Sequence, residues 1–464
     1  MTQSTLADVP LERVLELVDR FDTRGPRYTS YPTVPAWQGE LDGDAYGQAT
    51  AACQAAKRPL AVYLHLPFCA QRCWYCGCNA VVTRQQDRME RYVAAVEQEI
   101  ELLATRFGGP MPCAHLHLGG GTPTHLPVPL LSKSIDRLTE QFPPAEQAER
   151  SVEVDPRVCS DEHLAALVAR GFRRISVGVQ DVDPEVQQAV GRQQPLSRIA
   201  RFIDRARETG FESVNIDLIY GLPKQTEASW AVTLDAIAGL RPDRLACFGY
   251  AHLPARMKHQ RAIDAAALPS AEQRLKLLLQ ANRFFADQGY QAIGMDHFAR
   301  AEDELSKARR DGRLWRSFMG YTTLRGLELV GIGCSAISEL ERLFCQNEPN
   351  PDRYAELVQA GSSTIVRGHE LDDDDRYRKE LISELMCNLE IRPAATSERL
   401  GLPIPAGIET AVEALAPFER EGLIEPLADG YRVTEVGQLF LRNLAMPFDR
   451  YLTEQNRKVF SRTV

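Results

Sequence analysis

The chain has 464 residues, room for about three domains of ordinary size or one barrel with additions. Hydrophobic residues make up 44% and charged residues 25%, an ordinary globular balance that excludes collagen-like, coiled-coil and wholly disordered chains. Lysine plus arginine number 54 against 63 aspartate plus glutamate, and the net charge of -9 counts against a nonspecific nucleic-acid binder.

In chain order, the opening segment mixes acids and bases without an apolar core, unlike a signal peptide. No run reaches the roughly 18 apolar residues of a membrane span. The expectation is a cytoplasmic protein with reduced thiols, no membrane contact and no nucleic-acid partner. A short helix is expected over Leu11–Phe21. Six strands are expected at Ala61–Leu66, Ala114–Leu118, Ser151–Val154, Arg174–Val179, Ser213–Leu218 and Arg244–Tyr250, each a short apolar or alternating run. Between the first two, Met89, Tyr92, Val93, Val96, Ile100, Leu103 and Phe107 recur every three or four residues and line one helix face. Further helices fit Leu130–Gln141, Asp161–Arg170, Ser197–Thr209, Ala228–Ala238 and Ala271–Gln288, with Gly171 and Gly210 just past helix ends. Alternating strands and helices imply an α/β fold with a parallel sheet. About six units are too few for a closed eight-stranded barrel. A partial, open parallel β/α barrel is expected, with ligands at the C-terminal ends of its strands.

After residue 365 the pattern changes. The acids of Leu371-Asp-Asp-Asp-Asp375 open a helix to about Leu389, where they favour the helix dipole. Helices follow at Thr396–Leu400 and Ile408–Glu421, then a hairpin of Leu423–Glu425 and Tyr431–Val433 turning at Asp429-Gly430, then a helix over Val436–Leu444. This reads as a small, mostly helical, winged-helix-like domain without a dense basic recognition helix. The expected division is a lead-in over 1–55, the barrel over 56–365 and the winged domain over 366–464.

Chemistry concentrates in one segment. Of eleven cysteines, four fall within ten residues: Cys69, Cys73, Cys76 and Cys78. The first three are spaced C-x3-C-x2-C. A structural zinc site usually needs a second, distant ligand pair, and none is present. A thioredoxin-like pair drawn from Cys73 and Cys76 ignores Cys69. Three thiolates on one loop after a strand suit an iron–sulfur cluster that keeps one iron open to a small chelating ligand. Gly119-Gly-Gly-Thr-Pro-Thr124 follows the second strand, and glycine lets backbone approach a ligand closely.

C-x3-C-x2-C, with aromatic Tyr75 before its third cysteine, resembles the radical S-adenosylmethionine (SAM) superfamily. Further segments are similar to the oxygen-independent coproporphyrinogen III oxidase family within it: Cys76-Gly-Cys78-Asn, Arg24-Gly-Pro-Arg-Tyr-Thr-Ser-Tyr-Pro-Thr33, Glu153-Val-Asp-Pro-Arg157, Gly178-Val-Gln180-Asp, Asn215-Ile-Asp217, Tyr250-Ala-His-Leu-Pro254, Met295-Asp-His-Phe-Ala299 and Gly320-Tyr-Thr-Thr323. The resemblance runs from about residue 20 to the C-terminus.

It implies an enzyme that decarboxylates two propionates of coproporphyrinogen III to vinyl groups, giving protoporphyrinogen IX in heme biosynthesis. SAM chelates the open iron of a [4Fe–4S] cluster, and its reductive cleavage yields the hydrogen-abstracting 5′-deoxyadenosyl radical. Implied partners are a low-potential donor such as flavodoxin or ferredoxin and an unidentified electron acceptor, around a monomeric chain. Cys69, Cys73 and Cys76 match the cluster ligands, and Cys78 the fourth, non-ligating cysteine near substrate. Two SAM sites are implied at Tyr63, Tyr75, Gly120, Gly121, Thr122, Glu153, Gln180, Arg192, Asp217, Ala251 and Ile337, with Tyr63 and Cys78 nearest the chemistry. The lead-in is implied to cap the active site. Arg27, Arg157, Arg256 and Lys224 are the candidate propionate counter-charges, and His252 and His297 are either structural or functional. Gly191 stands where the family often has Asn, and Cys334 where Val is common. The competing readings are a heme-binding chaperone of the same superfamily, which generally lacks the second cysteine of C-G-C, and a zinc-stabilised interaction protein.

Overall fold

The computed structural model describes residues 10–37, 39, 41 and 44–463. The chain forms two compact units: Gln38–Pro269 with Gly326–Glu370, and Met1–Trp37 with Ser270–Arg325 and Leu371–Val464.

The first unit is built on a twisted sheet. Its strands are β1 (Leu60–Leu66), β2 (Cys113–Gly120), β3 (Pro144–Val154), β4 (Arg174–Gln180), β5 (Ser213–Tyr220), β6 (Arg244–Gly249), β7 (Glu328–Ile332), β8 (Ile337–Leu340), β9 (Leu343–Asn347) and β10 (Ile365–Glu370). Within the unit their order is β10-β9-β8-β7-β1-β2-β3-β4-β5-β6. Strands β1 to β6 are the six expected ones, all parallel, with helices in the crossovers. The order is linear rather than circular, so the barrel is partial, as its unit count requires. The 21-residue helix Gln86–Arg106 buries Met89, Tyr92, Val93, Val96, Ile100 and Leu103, the stripe its periodicity marks.

The inner and outer faces of the sheet follow from alternation. In β4 and β5 every second residue is buried: Ile175, Val177, Val179 and Val214, Ile216, Leu218 pack against the helices. The intervening Ser176, Gly178, Gln180, Asn215 and Asp217 share the opposite, inner face. Register carries that face around the sheet, with Tyr63 opposite His117, His117 opposite Ser151, and Glu153 opposite Ser176. Residues 328–370 carry no element in the sequence reading, yet they add β7, parallel to β1, and three antiparallel strands. Strand β7 is buried at all five positions, so it lacks the alternation that betrays a strand.

The second unit contains the winged segment. Helix Asp373–Asn388 places Tyr377, Leu381, Ile382, Leu385 and Met386 in a core with Ile408, Leu415, Ile424, Val433 and Phe448. The expected hairpin pairs Ile424–Leu427 with Gly430–Val433, and an unforeseen third strand, Glu390–Ile391, joins it. The single helix expected over Ile408–Glu421 is two, Ile408–Glu413 and Ala416–Arg420. Pro417 lacks the N–H that a continuous helix needs there. Helix Leu11–Phe21 forms as expected, its Phe21 ring stacked 4.6 Å from Phe418.

Candidate active site

The cysteine loop leaves the C-terminal end of β1. Its base is closed by a short parallel pairing of Phe68–Cys69 with Val81–Val82. The glycine run at the end of β2 clamps it from beside. Gly121 N–H donates to the Leu66 carbonyl (2.8 Å) and Thr122 N–H to the Phe68 carbonyl (3.0 Å). A Cβ on Gly121 would lie 2.5 Å from the Pro67 oxygen, so only glycine permits this approach. Gly120 has φ +117° and a Cβ there would meet the His65 ring and the Leu66 oxygen at 2.9 Å. The glycines therefore serve the cysteine loop as much as any ligand.

On its far side the loop rests on the turn after residues 184–189. Trp74 N–H donates to the Val190 carbonyl (3.0 Å), and the Trp74 ring lies where a Cβ on Gly191 would meet it at 3.0 Å. Gly191 has φ +66°, left-handed backbone that glycine and asparagine tolerate best.

Each of the three thiols has a hydrogen-bond donor. Thr122 Oγ1 is 3.6 Å from Cys69 Sγ. Arg192 Nη1 (3.4 Å) and Arg157 Nη2 (3.7 Å) both face Cys73 Sγ. The Cys78 backbone N–H donates to Cys76 Sγ at 3.4 Å. The Cys78 thiol hydrogen-bonds Cys76 as well and, against burial, draws it down to about 6. The donors at Cys76 suit a thiolate, whereas at Cys69 burial outweighs the Thr122 hydroxyl and pushes the thiol up to about 11. Among the described residues, no group of three or more His, Cys, Asp or Glu side chains gathers as one metal ion would need. A cubane would ask for something else, one thiolate for each of three irons, for which Cys69, Cys73 and Cys76 on this one loop are the candidates.

Asp155, which sequence reasoning missed, holds both arginines. Its Oδ2 accepts from Arg192 Nη1 (3.0 Å) and Arg157 Nη2 (2.6 Å). Burial disfavours the Asp155 carboxylate, yet the two guanidiniums keep it below its ordinary value. Arg157, a candidate propionate counter-charge, is thereby committed beside Cys73. Arg192 Nη2 also donates to the Gly178 carbonyl (2.5 Å). Arg192 Nε and Arg157 Nη1 are buried and without a partner among the described residues, donors placed for an anion such as a carboxylate.

The inner face of β1 to β5 continues the site. Tyr63 OH is 3.0 Å from His65 Nδ1, while His65 Nε2 lies 2.9 Å from the Asn79 carbonyl. A carbonyl only accepts, so Nε2 carries the proton and Nδ1 accepts from Tyr63. Burial lowers the His65 pKa and keeps it neutral. Tyr63 stacks on His117 at 5.9 Å. His117 reaches Ser151 Oγ (2.7 Å) and Glu153 Oε1 (3.5 Å), and Glu153 Oε2 accepts from Gly120 N–H (3.3 Å). Burial pushes the Glu153 carboxyl up more than any single neighbour opposes it, but His117 and the Gly120 N–H together leave it below the usual value. Asp217 accepts from Ser176 Oγ (3.1 Å) and Asn215 Nδ2 (2.7 Å); burial and the nearby Glu153 charge push it up to about 7.

Gln180 sits at the end of β4 with φ +73°, beside Gly178 and Arg192. Tyr75 packs against Val186, Val190, Leu222, Tyr250 and Ile263. Gln260 Nε2 bridges the Tyr75 and Ala251 carbonyls at 3.1 and 3.2 Å. Ile337 opens β8, where its carbonyl would meet a Cβ on Gly331 at 2.4 Å, and Gly331 pairs with Tyr63 across β1 and β7. The expected residues thus lie along the inner face of successive strands, as Tyr63 and Asp217 do, or at and beyond their C-terminal ends, as Gly120, Gln180 and Ala251 do. Arg256 is exposed, and Lys224 is exposed with Glu185 at 3.6 Å. His252 Nδ1 is 2.9 Å from Tyr250 OH. In the other unit Asp296 bonds His297 (2.6 Å) and pairs with Arg27 (2.9 Å). Cys334 is buried, with Tyr92 OH 3.5 Å away. Of the missed residues, His65 and Ser151 stand two residues from Tyr63 and Glu153 on the same strands, whereas His117, Asp155 and Ser176 carried no such signal.

Comparison with known proteins agrees with this geometry. Residues 63–237 match the Radical SAM superfamily and residues 371–440 the HemN C-terminal domain. The chain is 43% identical over 451 residues to the oxygen-independent coproporphyrinogen III oxidase of Escherichia coli (strain K12), spanning 97% of this chain and 98% of that one. It is 39% identical to the protein of the same name from Pseudomonas aeruginosa, again over 97% and 98%. The solved E. coli coproporphyrinogen III oxidase (HemN), described as a radical SAM enzyme, superimposes with a TM-score of 0.89 at 42% identity, over 94% of this chain and 99% of that one.

Proposed function

The chain belongs to the oxygen-independent coproporphyrinogen III oxidase family of the radical SAM superfamily, and we propose that it decarboxylates two propionates of coproporphyrinogen III to vinyl groups, yielding protoporphyrinogen IX. When bound, a [4Fe–4S] cluster with SAM on its open iron supplies an electron and a radical that takes hydrogen from the propionate β-carbon.

The chain's own residues hold and orient. Cys69, Cys73 and Cys76 are the cluster ligands, on a loop fixed by Gly121 and Thr122 on one side and Val190 on the other. Arg192 offers its unpartnered Nε to the SAM carboxylate. Glu153 and Asp217 accept from the amino group and ribose, and Tyr63 and Tyr75 supply aromatic faces. Gln180, Ala251 and Ile337 complete the rim on which two SAM molecules bind. Cys78, exposed at the end of the loop, faces the substrate. Arg256 and Lys224 are exposed and are the proposed cations of this unit for propionates. A flavodoxin- or ferredoxin-like donor reduces the cluster, and the protein works as a monomer. No described helix is long and apolar enough to cross a membrane.

The observation that carries this reading is the three-thiol loop docked on a glycine run beside a buried, half-satisfied arginine. The test is anaerobic incubation with coproporphyrinogen III, SAM and a reductant. Vinyl product and 5′-deoxyadenosine are expected; absence of both overturns the reading in favour of a non-enzymatic relative.

A further inference from the structure

Cys73 differs from the other two loop cysteines in its surroundings. Cys69 has a threonine hydroxyl and Cys76 its own loop, whereas Cys73 is faced by two buried guanidiniums, Arg192 Nη1 at 3.4 Å and Arg157 Nη2 at 3.7 Å. Arg157 is fixed for this task. Its Nε and Nη2 grip Asp155 at 3.0 and 2.6 Å, and its backbone N–H donates to the same carboxylate at 2.9 Å. Only Pro156 separates the partners, and its fixed φ and that backbone bond keep the guanidinium close to Asp155. Two cations share one anion, which leaves net positive charge against one sulfur. Arg192 is accounted for by the SAM carboxylate; Arg157 is not accounted for by the proposed reaction.

We infer that Arg157 is a positioning residue that sets the reduction potential of the iron–sulfur cluster through Cys73. The inference rests on the cluster assignment proposed above. Reduction adds negative charge to the cluster and its sulfurs. A cation donating a hydrogen bond to one of those sulfurs in a buried site stabilises the reduced form more than the oxidised one and raises the potential. Loss of Arg157 therefore makes the cluster harder to reduce.

The experiment is an anaerobic redox titration of the reconstituted full-length protein without SAM, followed by the electron paramagnetic resonance signal of the reduced cluster, with iron and sulfide counted on the same samples. Arg157→Gln is expected to keep its iron and to show an about tenfold lower ratio of reduced to oxidised cluster at a fixed poise, about 59 mV for a one-electron couple. A variant with full iron and the wild-type potential overturns the inference, because a merely structural arginine would leave the potential alone. If Arg157→Gln does not hold iron, Arg157→Met, which removes the charge but keeps a long side chain in the same space, is read in its place. A potential below wild type supports the inference, and an unchanged one overturns it. A wild-type protein that takes up no four-iron cluster contradicts the cluster assignment itself, a different result from either.

Discussion

Gly121 stands so close to Pro67 that a single added carbon would lie 2.5 Å from the Pro67 carbonyl oxygen. That approach joins the end of β2 to the base of the cysteine loop through backbone alone. Gly121→Ala is expected to push the loop off its seat rather than to block a ligand. Iron content after anaerobic reconstitution should fall at least several-fold while the circular dichroism stays that of a folded chain. Full iron content would show that the loop is held elsewhere.

The four clustered cysteines separate into three and one. Cys69→Ser, Cys73→Ser and Cys76→Ser should each abolish the four-iron centre and all product. Cys78→Ser should keep iron and sulfide at wild-type levels, because Cys78 is exposed past the loop's last expected ligand. Loss of iron in Cys78→Ser would break the ligand assignment.

Asp217 supplies a pH dependence. Its carboxyl is pushed up to about 7 from the ordinary 3.8, because burial and Glu153 oppose its charge. The unfolded chain then binds fewer protons between those values, so this group's contribution falls as pH rises through that window and levels off above it. Asp217→Asn keeps an acceptor for Ser176 and removes the buried charge. It should stabilise the SAM-free protein at pH 8 by at most about 4 kcal/mol, with little gain near pH 4, and should weaken SAM binding. Thermal denaturation of both proteins across that range checks the sign; a gain that does not grow with pH contradicts it.

The acidic run 372–375 is more than a dipole match. Asp372 caps its helix by accepting from Asp375 N–H at 2.7 Å. Arg450 then pairs with Asp372, Asp374 and Asp375 at 2.8 to 3.1 Å. Asp375 is 1% exposed, so its charge needs that partner. Arg450→Ala should cost on the order of 2–4 kcal/mol in chemical denaturation, whereas Asp373→Asn, outside the clamp, should stay within about 0.5 kcal/mol.

These cases show what the residues reveal by themselves. The six parallel strands and the helix over 86–106 were legible because alternation and a three-to-four spacing survive in any single sequence. Strand β7 was not, since burial on both faces erases alternation. The break before Ala416 was written in Pro417, whose missing N–H outweighs the helical pattern around it. Within the site, the thiol spacing and the glycine run declared themselves, but the partner of Arg192 did not, nor outside the site did those of Arg450. An ion pair across a fold leaves no mark on local spacing, and Asp155 was visible only as a neighbour of Glu153.

The central claim is that three cysteines hold a cluster whose remaining iron accepts SAM. The most direct measurement is the electron paramagnetic resonance spectrum of the anaerobically reconstituted, reduced protein before and after SAM is added. A cluster signal that changes shape and g values on addition, and does so less readily in Arg192→Ala, is the predicted result. A cluster spectrum indifferent to SAM at saturating concentration would contradict the account.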